Sequence, residues 1–159
     1  MRLKHDQCPS TYQSFCGPAA VALITGETAE EAARCFNLFS GRPLDQQVKG
    51  TYQREVERVL EFFDFKMVFV ERPKGTWGTR ENMWGEVNDV YHHKTVTQIL
   101  KILLPGETYF VGTGRHWFVI KDGRAYDNSR PEGWDISKPN RPYRRGRVRC
   151  LARMEKIPQ

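Results

Sequence analysis

The dipeptide Asp122-Gly123 constrains this chain more than any other feature, because a two-residue turn fixes the register of the strands it joins. Gly114 to Lys121 reads as one strand and Arg124 to Asn128 as its partner. With Asp122 and Gly123 as the turn, Lys121 pairs with Arg124, His116 falls opposite Ser129, and Asp127 falls opposite Phe118. Asp127 is then on the diagonal from His116 and on the same face, within reach of an imidazole, whereas Asn128 points to the other face. The register therefore selects Asp127 as the residue that would orient His116.

A histidine held in this way is the usual partner of an activated nucleophile. At the other end of the chain the polar lead-in Tyr12-Gln13-Ser14-Phe15 stops at Cys16, and Gly17-Pro18 opens an alanine-rich apolar run through Thr25, long enough for a short buried helix. Cys16 thus stands at a helix start, where unpaired backbone N–H groups and the positive end of the helix dipole favour the thiolate. Pro18 suits the first turn, in which its missing N–H costs nothing. Each residue alone has a plainer explanation: a buried cysteine, a strand histidine with a satisfied ring, a turn aspartate. Their conjunction is what points to Cys16 as nucleophile, His116 as base and Asp127 as its orienting acid.

Cys-Gly-Pro-Ala-Ala at a helix start, then far downstream His-Trp-Phe-Val-Ile, a hairpin and Tyr-Asp-Asn, resembles the papain-like cysteine peptidase superfamily. The likeness is greatest to its small members related to the bacteriocin-processing, double-glycine-type peptidases, many of which occur in bacteria and their viruses. It covers both ends of the chain and leaves the middle unaccounted for. The resemblance implies a Cys-His-Asp triad in which Cys16 attacks, His116 acts as general base and then acid, and Asp127 fixes the histidine tautomer. Such peptidases usually carry an oxyanion-hole glutamine about six residues before the cysteine, a position held here by Ser10. The oxyanion candidates are Gln13 and Gln7, each requiring a rearranged loop, with the Cys16 N–H as the other donor.

A chain of 159 residues, 39% apolar and 12% aromatic, suits one domain spanning 1–159 around a single core. No apolar run approaches a membrane span, and no hydrophobic stretch follows Met1 to Asp6 to make a signal peptide. A cytoplasmic protein with no membrane partner is the expectation. The four cysteines form no CxxC pair, so no zinc knuckle is expected, and Cys35 and Cys150 read as core. A disulfide between two of Cys8, Cys35 and Cys150 stays open, although cytosolic thiols are usually reduced. His92-His93 point in different directions and have no nearby His or Cys to complete a set, so neither a metal nor any cofactor is expected. The formal charge is +6, and six arginines with no acid lie between Arg141 and Arg153. A solvated strand face is the plainer reading of that run; an acidic protein surface is the partner it would take, and nucleic acid is not expected.

Between these ends, Gly26 ends the first helix, and Thr28-Ala29-Glu30-Glu31 opens a second through about Asn37 with Ala32, Cys35 and Phe36 inward. A third, capped by Thr51, carries Tyr52, Val56, Val59, Leu60 and Phe63 on one face. Lys66 to Glu71 reads as a strand. Arg72 to Lys94 reads as an irregular segment, either a functional loop lining the cleft or an insertion pinned to the core by Trp77 and Trp84. A fourth helix from Thr95 to Leu104, a strand from Thr108 to Gly112, the hairpin, a loop from Ser129 to Pro142 and a strictly alternating strand from Arg147 to Met154 complete the chain. Helices first and an antiparallel sheet after make an α+β fold. That order fits the papain-like layout, in which the nucleophile's helix packs on the C-terminal sheet that carries the base.

The expected function is that of a cysteine hydrolase, a peptidase or isopeptidase acting on an amide bond of a protein or peptide substrate. Transglutaminase-like and arylamine acyltransferase-like enzymes use the same Cys, His, Asp order, which makes acyl transfer or deamidation an alternative. A catalytically inactive papain-like binding protein that uses the basic strand to engage an acidic protein or, less expected, nucleic acid is another.

Overall fold

A computed structural model of the protein describes residues 16–70, 76–114, 116–130, 132–138 and 146–159. The first helix, α1 (Cys16–Thr25), stops at Gly26, whose φ of +81° turns the chain out while its N–H still reaches the Ala22 carbonyl at 2.9 Å. At the start of α2 (Ala29–Phe39) the Thr28 hydroxyl accepts the Glu31 N–H at 2.9 Å, and Ala32, Cys35 and Phe36 are buried as their spacing demands. The third helix, α3 (Gln53–Phe62), buries Val56, Val59 and Leu60. Its cap differs from expectation: Tyr52 is the N-cap residue, with its N–H donated to the Glu55 carboxylate at 2.8 Å, and its ring is 81% exposed. Thr51 is thereby released from capping and turns toward α1.

The strands are β1 (Phe65–Phe69), β2 (Thr76–Glu81), β3 (Val87–His92), β4 (Thr108–Thr113), β5 (Trp117–Lys121), β6 (Arg124–Tyr126), β7 (Trp134–Asp135) and β8 (Val148–Lys156). Six of them form one antiparallel sheet in the order β1-β8-β4-β5-β6-β7. Because side chains alternate across a strand, the sheet is apolar on both faces. Phe110, Val119, Tyr126 and Met154 meet the three helices on one side. Tyr109, Val111, Phe118, Ile120, Ala125 and Leu151 meet Val96 and Ile99 of α4 (Val96–Ile99) on the other. The protein is therefore a mixed α+β fold with helices first and a large antiparallel sheet after.

Four expectations are corrected in the second half of the chain. The segment from Arg72 to Lys94 contains a two-stranded sheet, β2 with β3, in the register Thr79↔Asp89. Asn82 closes its turn: Oδ1 accepts the N–H groups of Trp84 at 2.9 Å and Glu86 at 3.0 Å. Trp84 is 78% exposed there, so it does not pin the segment to the core; the side chain of Trp77 lies outside the described residues. The expected ten-residue helix from Thr95 is a single α-turn, capped by Thr95 and Gln98, that tightens into a 3₁₀ turn at Leu100–Ile102. The alternation of β8 is broken by a bulge: Gly112 pairs with Cys150 but Thr113 pairs with Val148, so Val148 joins Val111 and Leu151 on the face away from α1 to α3. A short strand, β7, also interrupts the loop expected after Ser129.

The approach of β4 to β5 is tight at one point. A Cβ added at Gly112 would lie 2.8 Å from Cε3 and 2.9 Å from Cη2 of the Trp117 indole, a rigid ring that also packs against Phe110 with centroids 5.1 Å apart. Gly112→Ala is accordingly expected to destabilise the fold by about 1–3 kcal/mol in urea unfolding. An unchanged midpoint would contradict the close contact.

Candidate active site

Asp122 and Gly123 adopt φ of 47° and 75°, the pair of positive values that a type I′ turn needs, and Lys121 pairs with Arg124. Val119 then pairs with Tyr126, which sets Asp127 one step beyond the strand end and opposite Phe118. His116 lies just before β5, where its carbonyl accepts the Thr113 N–H at 2.9 Å, and its ring stacks on Phe118 with centroids 5.9 Å apart. The diagonal predicted from the turn closes as a hydrogen bond: His116 Nε2 donates to Asp127 Oδ2 at 2.8 Å. Asp127 has no exposed side-chain surface and His116 is 18% exposed.

Since Nε2 is committed to Asp127, Nδ1 is the ring atom left for Cys16. The Cys16 thiol, at the start of α1 and partly buried, lies beside the His116 ring, close enough for each group to shift the other's pKa. Burial opposes a thiolate, but the His116 ring, the Trp117 N–H, the charge of His116 and the Gly17 N–H together outweigh it and hold the thiol below its ordinary value. The same contacts act on the imidazole. Burial would lower its pKa, yet the bonds to Asp127 and Cys16 and the charges of both partners raise it to about 9. Burial also opposes ionised Asp127; the bonds from His116, Ser129 and Arg130 reverse this and hold the carboxyl below its usual range. The three groups thus favour one another's charged forms, thiolate, imidazolium and carboxylate.

The structure brings Cys16, His116 and Asp127 together, and it adds groups that the sequence did not flag. The backbone N–H groups of Gly17 and Trp117 help to lower the Cys16 thiol, and main-chain donors carry no signature in residue type. Thr51 borders the site from the α2 to α3 connection. Its carbonyl accepts Trp117 Nε1–H at 3.3 Å, and a Cβ at Gly17 would lie 2.8 Å from its methyl carbon. Gly17 is therefore required to be small, and Gly17→Val is expected to disorder the start of α1 and slow alkylation of Cys16 by iodoacetamide several-fold. A rate equal to that of the wild type would contradict this packing. Gln7, Gln13, Ser10 and Cys8 lie outside the described residues.

Of the other sequence candidates, Cys35 and Cys150 are buried free thiols, and burial, with the charge of Glu57, pushes Cys150 up to about 12. They lack the electropositive surroundings that make a thiol reactive. Among the described residues no group of His, Cys, Asp and Glu could hold a metal ion. Along the basic run, Arg147 donates to the His93 carbonyl at 2.8 Å and Arg153 pairs with Glu155, so two of the arginines are engaged within the fold; 141–145 lie outside the described residues. Among the described residues no helix is long and apolar enough to cross a membrane. No family model matches this chain, and neither does any curated protein or solved structure.

Proposed function

We propose that the protein is a cysteine hydrolase of papain-like layout that cleaves an amide bond in a protein or peptide. The observation that carries this reading is the convergence of three groups: the Cys16 thiol beside the His116 ring, and that ring hydrogen-bonded to the buried Asp127 carboxylate. The packing of α1 against β5, which puts a helix start beside the strand that follows His116, supports the layout.

In this mechanism the Cys16 thiolate attacks the amide carbon, and the carbonyl electron pair moves to oxygen. N–H groups at the helix start hold the resulting charge; since Ser10 stands where the resemblance implies a glutamine, Gln13 or Gln7 is the candidate second donor, either one only with a rearranged loop. The tetrahedral species collapses as His116 Nδ1–H protonates the departing amine, leaving an acyl-thioester on Cys16. Neutral His116 then takes a proton from water, the hydroxide adds to the thioester carbon, and the thiolate leaves with the acid released. Asp127 keeps the Nε2 proton in place throughout, so that Nδ1 is always the atom that exchanges.

A mixture of unstructured peptides incubated with the protein and read by mass spectrometry tests the proposal. New termini that vanish in Cys16→Ala are the expected result; conversion of glutamine to glutamate without cleavage would favour the deamidase alternative. Absence of any Cys16-dependent product would leave the binding-protein alternative. Where turnover is found, its kcat/KM is expected to be bell-shaped in pH. The acid limb falls as the thiolate is protonated below the ordinary thiol range, and the alkaline limb lies near pH 9, where His116 loses the proton that the leaving amine needs. An alkaline limb near 6.5 would contradict the assigned ion pair.

A further inference from the structure

The oxygens of Asp127 have separate partners. Oδ2 accepts His116 Nε2–H, while Oδ1 accepts three donors: the Ser129 N–H at 2.9 Å, the Ser129 hydroxyl at 2.8 Å and the Arg130 N–H at 2.8 Å. Asp127 itself has no exposed side-chain surface, so in the folded protein these donors rather than water satisfy its Oδ1. The turn that carries these donors is itself held. Gly133 N–H donates to the Arg130 carbonyl at 3.0 Å, and the Arg124 guanidinium donates to the Gly133 carbonyl at 2.9 Å. The Arg130 guanidinium lies over the ring of Trp134, 5.9 Å from its centroid. Gly133, at φ +80°, leaves space that a Cβ would take from the Tyr126 ring. The segment after β6 is thus built as a cradle for one carboxylate.

We propose that Ser129 is a positioning residue of the hydrolytic site: its hydroxyl fixes the rotation of the Asp127 carboxylate so that Oδ2 stays aimed at His116 Nε2. The inference rests on the reading of Cys16, His116 and Asp127 as a triad. It singles out the hydroxyl because the N–H groups of residues 129 and 130 remain whatever side chain stands at 129. Among the described residues, the titratable groups that shift His116 are Cys16, from the start of α1, and Asp127, just past the end of β6; the charged end of Arg130 is turned to Trp134. Removing the hydroxyl loosens Asp127 and weakens its hold on the imidazolium proton.

The molecule contains its own control. Asp135 and Ser137 repeat the motif, with Asp135 Oδ1 accepting the Ser137 N–H at 3.0 Å and its hydroxyl at 2.6 Å, but on the exposed side of the same segment. Titration of the His116 imidazole by NMR in the full chain separates the outcomes. In Ser129→Ala the transition is expected to fall from about 9 to about 8–8.5, the effect of one lost hydrogen bond to a charged group. Ser129→Thr, which keeps the hydroxyl, is expected to restore it, and Ser137→Ala to leave it unmoved. A wild-type transition near 9 that Ser129→Ala does not shift would overturn this inference alone. A wild-type transition near 6.5 would overturn it together with the triad reading beneath it.

Discussion

At pH 6, Cys16 is expected to react with iodoacetamide about 3- to 30-fold faster in the wild type than in His116→Ala. A neighbouring opposite charge commonly moves a pKa by about 1–3 units, and each unit changes the thiolate fraction about tenfold below the transition. A less basic thiolate is also a weaker nucleophile, which cancels roughly half of that gain on a logarithmic scale and leaves the stated range. Mass spectrometry localises the label. Cys35 and Cys150, raised by burial, are expected to stay unlabelled over the same time in the folded protein. Equal rates at Cys16 in the two proteins would show that the imidazole does not support the sulfur.

The largest expected effect on stability is that of Asp127→Ala, about 3 kcal/mol in urea unfolding. The substitution removes a fully buried carboxylate and leaves the Ser129 hydroxyl, the Ser129 and Arg130 N–H groups and His116 Nε2–H without their acceptor. A loss under about 1 kcal/mol would mean that the cradle relaxes freely. The pH dependence has a definite sign. Asp127 is held below its ordinary value of 3.8, so its contribution is complete above that value and lost as pH falls through the folded pKa. His116 carries its proton in both states over that range and adds no slope. Wild-type stability is therefore expected to fall more steeply below pH 4 than that of Asp127→Asn, whose neutral amide keeps the shape without titrating.

Much of this arrangement is legible in residue order because it depends on local rules. Asp122-Gly123 supplies positive φ twice, the turn fixes the register, and the register puts Asp127 beside His116. The helix start at Cys16 follows from an apolar run after Gly17-Pro18. The segment around β2 and β3 was not legible as strands, since its exposed Met83, Trp84 and Val87 bury no face and leave no period of two to read. The last strand misled for the opposite reason: its alternation is real, but counting residues cannot register the bulge that moves Val148 to the other face. Tyr52 sits at the right spacing for the core face of α3, yet the N-cap conformation turns it outward. Of the site itself, side chains could be found by type and spacing. The Gly17 and Trp117 N–H groups could not, and Ser129 was open to detection only through the Asp-x-Ser spacing of an Asx turn.

The thiolate absorbance of Cys16, obtained as the ultraviolet difference between wild type and Cys16→Ala across a pH titration, tests most directly whether sulfur and imidazole form one ionised pair. A transition clearly below the ordinary thiol value of 9.0, moving up in His116→Ala, is the predicted result. A transition at or above that value, the same with and without His116, would contradict it.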